Sequence, residues 1–305
     1  MKILFISAGN SELGISPIIL SQGNSLLKKG CHIDYFTIKG KGVFGYLKNR
    51  KILKKQINSS DYDIIHAHYA NSAFLASLST RKKIIVSLMG SDVIEKWYFK
   101  YVNFLFYLFS WKHVIVKSKE MALNSMGIPT SIIPNGVNFD IFKPIERKDA
   151  LSITGWDLNK KHILFCSSTE RPEKNYNLAF NAFNLIKNTN IQLHSLNNIS
   201  HDKIPYYINS SDVILMTSLF EGSPNIIKEA MACNTPIVST NVGDVKDLIF
   251  DTDGCYITNQ CKYDISKAIQ NALSFNNKTN GRSNILHLKD DIIADQLIKI
   301  YNKSI

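Results

Sequence analysis

Short apolar runs alternate with helix-length amphipathic segments along the whole chain. In the first half this pattern predicts strands at residues 3–7, 32–37, 64–66, 84–88, 114–116 and 131–133. In the second half it predicts strands at 163–166, 192–196, 213–216, 236–240 and 255–257. Buried strands separated by crossover helices pair in parallel, because the helix carries the chain back to the end at which the next strand starts. Two such sets predict an α/β protein of two doubly wound domains, residues 1–148 and 149–305, with 144–158 as a polar connector. A last helix, at about 290–303, has no strand after it and is expected to pack back on the first domain. Open parallel sheets bind ligands at the carboxyl ends of their strands. Two sheets in one chain therefore predict an enzyme with two substrates, one per domain, meeting in a cleft.

Composition narrows the class. The chain has 305 residues, 45% of them apolar and 20% charged, which is a globular balance. Its five cysteines form no CxxC pair and lie mostly in apolar runs, as expected of thiols in a reducing cytosol. The opening MKILFISAG reads as a first strand, and no run of about 18 apolar residues predicts a membrane span. The nearest, KWYFKYVNFLFYLFSWKH at 96–113, is aromatic and is interrupted by Lys100 and Asn103.

Charge is unevenly divided. Residues 1–150 hold 21 lysines and arginines against 10 aspartates and glutamates, a net of +11, whereas residues 151–305 are neutral. An excess confined to one half, with blocks such as KNRKILKK, points to an anionic partner for that half. No nucleic-acid motif accompanies it.

The stretch LFEGSPNIIKEAMACNTPIVST, at 219–240, carries the candidate chemistry. Ser223 and Pro224 form a helix start, serine as cap and proline at the first helical position. The free amides of Asn225 and Ile226 then make a positive helix end suited to phosphate. Glu221 precedes that end, and Glu229 lies roughly 9 Å beyond it at about 1.5 Å per residue. Carboxylate, positive helix end, carboxylate matches the order of a sugar nucleotide: hexose hydroxyls, diphosphate, ribose hydroxyls.

These residues resemble family 4 of the retaining glycosyltransferases. EGSPNIIKEAMACNTPIVSTNVGD at 221–244 is similar to the family's Glu-x7-Glu segment, and IPNGVNFDIFKP at 133–144 to its second hallmark. The resemblance implies the GT-B fold, two Rossmann-like doubly wound parallel-sheet domains facing a cleft, with acceptor in the first and nucleotide sugar in the second. It implies that Glu229 binds ribose hydroxyls, that Gly222, Ser223, Asn225 and Ile226 surround the diphosphate, and that Glu221 lies beside the transferred sugar. In CSSTERPEKNYNLA, Lys174 matches the lysine that neutralises the leaving diphosphate, and Arg171 is the expected second cation. Gly14 falls at the glycine turn after the first strand. Gly90, Ser91 and Asp92 of IIVSLMGSD, together with His68 and Asn135, are the expected acceptor and sugar-side residues. The chain departs from the family at Met89, where many members carry histidine, and at Thr169, where arginine is commonest.

The reading that follows is transfer of a sugar, with retention, from a UDP-sugar or related donor to a glycan or lipid-linked saccharide. The setting is surface polysaccharide assembly, such as lipopolysaccharide O-antigen or capsule. No cofactor and no essential metal are expected, since lysine, arginine and helix amides supply the positive charge. The expected location is cytoplasmic and peripheral at the inner leaflet, through the basic half and the aromatic segment. Two alternatives share the nucleotide site: a GT-B-like UDP-sugar epimerase, and an inactive homologue partnering another transferase. A Rossmann dehydrogenase fits poorly, because SAGNSELG lacks GxGxxG spacing.

Overall fold

A computed structural model of the protein describes residues 1–10, 14–94 and 97–305. Residues 11–13 and 95–96 lie outside the description, and with them part of SAGNSELG and the start of the aromatic run. The chain divides into two compact units, Met1–Gly136 with Asp290–Ile305, and Val137–Lys289.

The first unit holds β1 (Lys2–Ala8), β2 (His32–Ile38), β3 (Ile64–His68), β4 (Ile84–Ser87), β5 (Trp111–Val116) and β6 (Thr130–Ile132). They form one parallel sheet in the order β2-β1-β3-β4-β5-β6. Its helices are α1 (Pro17–Lys28), α2 (Gly42–Leu47), α3 (Arg50–Asn58), α4 (Ala70–Ser79), α5 (Ser91–Ile94), α6 (Trp97–Phe109) and α7 (Lys119–Leu123). Leu4, Ile6, Ile65, Val86 and Val114 alternate onto one face of the sheet and build the core with α4 residues such as Ala73 and Ala76. Strand β5 begins at Trp111 rather than at 114, because Trp111 pairs with Ile84 across a register shift.

The second unit holds helices α8 (Arg147–Thr154), α9 (Tyr176–Phe183), α10 (Ile204–Ser210), α11 (Asn225–Ala232), α12 (Val245–Ile249), α13 (Lys262–Phe275) and α14 (Gly281–Asn284). Its strands are β7 (Lys161–Phe165), β8 (Ile191–Ser195), β9 (Val213–Met216), β10 (Ile237–Thr240) and β11 (Tyr256–Thr258), parallel in the order β11-β10-β9-β7-β8. Ile163, Phe165, Val213, Leu215 and Val238 pack against Ile265 and Ile269 of α13.

The division falls at Gly136/Val137 rather than at 148/149. Residues after 136 are tied to the second unit: Val137 N donates to Leu288 O at 2.9 Å, and the Arg282 guanidinium donates to Phe139 O at 2.9 Å and Phe142 O at 2.7 Å. The stretch expected as a connector carries α8, closed by Gly155 in the left-handed region at φ 71°.

The last helix, α15 (Asp290–Asn302), belongs to the first unit. It buries Ile293, Leu297 and Ile300, which contribute on the order of 5 kcal/mol. Ser21 Oγ donates to Asp290 at 2.7 Å, Lys29 pairs with Asp295 at 2.7 Å, and Tyr301 Oη meets His66 Nδ1 at 2.7 Å. Gly136 is required where the chain passes this helix: a Cβ there would lie 2.4 Å from Asp290 Oδ1 and 2.9 Å from its Cα.

Candidate functional site

In the second unit the carboxyl ends of β7 and β9 lead into two loops that are laced together. Leu219 N donates to Glu173 O at 2.9 Å, and Thr217 Oγ1 donates to Lys174 O at 3.1 Å and Asn175 O at 2.9 Å. Lys174 ends a short 3-10 turn, Pro172–Lys174, and Asn175 after it is left-handed at φ 54°, so the lysine precedes α9 instead of lying in it. This places Lys174 Nζ 2.5 Å from Glu221 Oε1, with both side chains largely buried. Ser218 Oγ donates to the same carboxylate oxygen at 2.7 Å. Cys166, at the end of β7, has its thiol pushed up to about 12 by burial. It is a neutral neighbour for that pair.

Helix α11 starts one residue later than the sequence predicts. Pro224 occupies the cap position and no side chain caps the helix, so Ser223 is not the cap. The reason is tertiary: the Ser223 hydroxyl accepts from Lys228 Nζ at 3.1 Å and also bonds Asp244. Lys228 is fully buried, and burial raises the Asp244 carboxyl above its ordinary value against the pull of Lys228. The first-turn amides of Asn225 and Ile226 are left for an anion, as in any α-helix start. Asn225 Oδ1 is buried without a hydrogen-bond partner among the described residues.

Glu229 lies one turn further along α11, buried, with Oε1 3.5 Å from His201 Nε2. The hydrogen bond to Glu229 raises the His201 pKa above its ordinary 6.5, against desolvation. Arg171 spends its charge locally, on Glu173 at 2.5 Å, and is more than half exposed. Gly222 is packed from behind by Gly243, whose φ is 57° and whose added Cβ would lie 2.8 Å from Gly222 O and 2.9 Å from Glu221 O.

In the first unit the expected residues gather at the ends of β3 and β4, in a different role. Asp92 is fully buried, and its carboxylate accepts from Ala70 N at 3.0 Å, Met89 N at 2.9 Å and Gly90 N at 2.9 Å. Instead of facing a sugar, it ties the LMGSD loop to the start of α4. Ser91 Oγ meets Tyr69 Oη at 2.9 Å on the same junction, and Gly90 there has φ 141°. His68 is 1% exposed, stacks on His66 at 4.3 Å, and is lowered to about 3 by burial and then by Lys117, so it is a neutral core ring. Asn135 is buried in the irregular link between β6 and Gly136. Gly14 is left-handed at φ 73°, and no atom of the described residues lies within 4 Å of where a Cβ would stand, which suits a close backbone approach.

Two family models match the chain: one described as glycosyl transferase 4-like over residues 13–117, and one as glycosyl transferases group 1 over 194–274. The chain belongs to the family 4 type of glycosyltransferases. An uncharacterized glycosyltransferase, MJ1178 of Methanocaldococcus jannaschii, is 25% identical over 243 residues, which is 70% of this chain and 66% of that protein. The chain thus spans slightly under two thirds of the length of that relative. Among solved structures, sucrose-phosphate synthase from Thermosynechococcus elongatus aligns at a TM-score of 0.80 with 17% identity, covering 99% of this chain and 98% of that one. Anabaena Alr3699/HepE in complex with UDP-glucose aligns at 0.79 with 15% identity, covering 99% and 100%. The fold is therefore GT-B in type.

In this family 4 type of glycosyltransferase, Lys174, Glu221 and Ser218 form one cluster on the loops that precede α9 and α11, and Glu229 forms a second, with His201. Sequence reading missed His201, Ser218, Lys228 and Gly243. Lys228 and Gly243 lie inside the 221–244 motif, where Lys228 stands 16 positions before Asp244, so only their place in the motif could have pointed to them. His201 had none, since 28 positions separate it from Glu229. Among the described residues no group of three or more His, Cys, Asp or Glu could hold a metal ion. No helix among them is long and apolar enough to cross a membrane.

Proposed function

We propose that the protein transfers a hexose from a UDP-sugar, with retention of anomeric configuration, to a hydroxyl of a glycan or lipid-linked saccharide in surface polysaccharide assembly. The observation that carries this reading is the Lys174–Glu221 pair, 2.5 Å apart, whose glutamate stands on the loop that leads into the first-turn amides of α11. An ammonium and helix amides converging on one place are suited to a diphosphate, and their interaction strengthens as the leaving group gains charge. Glu229, eight residues beyond Glu221, offers a buried acceptor for vicinal ribose hydroxyls. The Anabaena structure that aligns with this chain holds UDP-glucose, which favours UDP over other bases.

In the proposed step the acceptor oxygen attacks the anomeric carbon on the face that the donor phosphate leaves. The bond between that carbon and the β-phosphate oxygen breaks, its electron pair stays on the phosphate, and the acceptor proton passes to a phosphate oxygen. Glu221 is engaged by Lys174 and Ser218 and so orients the cation instead of acting as a nucleophile. Lys174 and the α11 amides carry the charge, and no metal is required.

The test is a thermal-shift panel of UDP-, GDP- and dTDP-sugars, followed by NMR of the anomeric proton in the product. Stabilisation by a UDP-sugar and an axial linkage from an axial donor are expected. Stabilisation by none of the donors ends the reading, and an inverted product ends the front-side mechanism.

A further inference from the structure

We propose that a groove between α2, α4 and α6 of the first unit holds the hydrocarbon chain of an amphiphilic acceptor, whose anionic head lies at the carboxyl ends of β2 and β3. The proposal rests on the reading of the protein as a transferase to a lipid-linked saccharide, and it names where the lipid goes.

The groove encloses about 390 Å³, within the range of about 300–1,000 Å³ for small-ligand sites. Its walls are Tyr46, Leu47, Phe74, Leu75, Leu78 and Val102, and the one amide among them is Asn71. Such walls gain from contact with hydrocarbon and offer water few partners. Along α4, Asn71, Phe74, Leu75 and Leu78 fall at i, i+3, i+4 and i+7, one face about 10 Å long. Asn71 is in the first turn of α4, just after β3 ends at His68. Exposed Lys39 and Lys41 fill the short link from the end of β2 at Ile38 to α2. Cations and an amide therefore stand at the strand ends, and apolar wall runs away from them. That is the order of an anionic headgroup followed by a chain.

Helix α2 is built as a flap over this groove. It has six residues, none of them buried, and Phe44 is 83% exposed. It hangs from a turn in which Gly40 and Gly42 have φ 112° and 67°, and Gly40 touches Gly45 so closely that a Cβ on Gly45 would lie 2.7 Å from Gly40 C. The Asn49 amide ties both ends, donating to Lys39 O and Gly45 O at 2.8 Å each.

On the far wall, α6 buries only Phe99 and Asn103 and leaves Trp97 at 73% and Phe109 at 74% exposure. An outer face of this kind, rich in aromatics and with Lys100 as the only charge of α6, suits the boundary of a bilayer from which a lipid chain is drawn.

The experiment is calorimetric titration of the full chain with farnesyl diphosphate, with isopentenyl diphosphate as the headgroup control. Farnesyl diphosphate should bind at least ~10-fold more tightly, because its added methylenes and methyls enter apolar walls. The double variant Leu47→Ser/Leu78→Ser changes two half-exposed positions, and Val102→Ser serves as a second variant should the first misfold. Each should lose most of that advantage while keeping its affinity for UDP. Equal binding of the two diphosphates would overturn the proposal. So would farnesyl affinity unmoved by both variants, or dimerisation by light scattering that the variants abolish and farnesyl diphosphate leaves unchanged. Absence of UDP binding in the wild type would remove the donor reading and leave the comparison of the two diphosphates readable.

Discussion

Lys174 and Glu221, 47 positions apart in sequence, meet at 2.5 Å in a largely buried ion pair whose carboxylate also takes a hydrogen bond from Ser218. The pair joins the two loops at the ends of β7 and β9 and fixes the ammonium against the loop that leads into α11.

Removing the cation should therefore affect the chemical step. Lys174→Ala is expected to lower kcat by about 10²- to 10³-fold with a smaller change in donor KM, the size seen when one charge-stabilising donor is lost. Glu221→Gln keeps shape and loses charge, and should cost less. The double variant should fall well short of the product of the two effects, because both act through one ammonium. Steady-state kinetics on all three, at one donor concentration series, checks this.

Glu229 should act on binding rather than on chemistry. Glu229→Ala is expected to raise donor KM by about 10- to 100-fold, the loss of one or two hydrogen bonds to a charged acceptor. A UDP titration should show the same factor, and an unchanged Kd for UDP would remove the ribose role.

The His201–Glu229 contact gives stability a pH dependence of known sign. Its folded pKa is raised above 6.5, first by the hydrogen bond to Glu229, so the stabilisation is fully present below about pH 6.5 and fades as pH rises through the folded value. His201→Gln should thus lower the Tm more at pH 6 than at pH 8.5. Equal losses at both would show that the histidine matters only by packing.

Gly243 and Gly155 separate contact from backbone strain. Both are left-handed, at φ 57° and 71°, but a Cβ on Gly243 would press on the carbonyls of Glu221 and Gly222, whereas one on Gly155 meets nothing within 4 Å. Each alanine variant should lose about 1–2 kcal/mol from strain. Only Gly243→Ala should also lower specific activity, since it displaces the Glu221 loop. Denaturant unfolding beside initial rates distinguishes the two.

Asp92 is predicted to be a stability residue. Asp92→Ala leaves buried amides of Ala70, Met89 and Gly90 without their acceptor and should cost about 2–4 kcal/mol. Chemical denaturation measures it directly.

Much of the fold is legible in the chain. All eleven strands stand where apolar runs of three to six residues are bounded by helical segments, and their ends shift by at most three residues. The shift at Trp111 comes from a neighbour, Ile84, which local pattern does not contain. The candidate site is legible where its residues share one motif: Glu221, Asn225, Ile226 and Glu229 lie within nine positions. Three expectations changed. Ser223 is drawn off its cap by Lys228 and Asp244, Asp92 is taken by three backbone amides, and His68 is closed in beside His66. Ser223 and Asp92 are held by hydrogen bonds that only the folded loops bring together, and His68 is enclosed by burial.

What the chain determines alone is the alternation of strand and helix, the parallel sheets that follow from it, and the carboxylate–helix-start–carboxylate order of 221–229. These rest on local periodicity and on backbone groups that every helix start leaves free. Only tertiary structure decides that Lys174 belongs to Glu221, that His201 belongs to Glu229, and that Asp92 and His68 are core. Burial makes those choices: a polar group taken out of water must find a partner, and the nearest one in space is seldom the nearest in sequence.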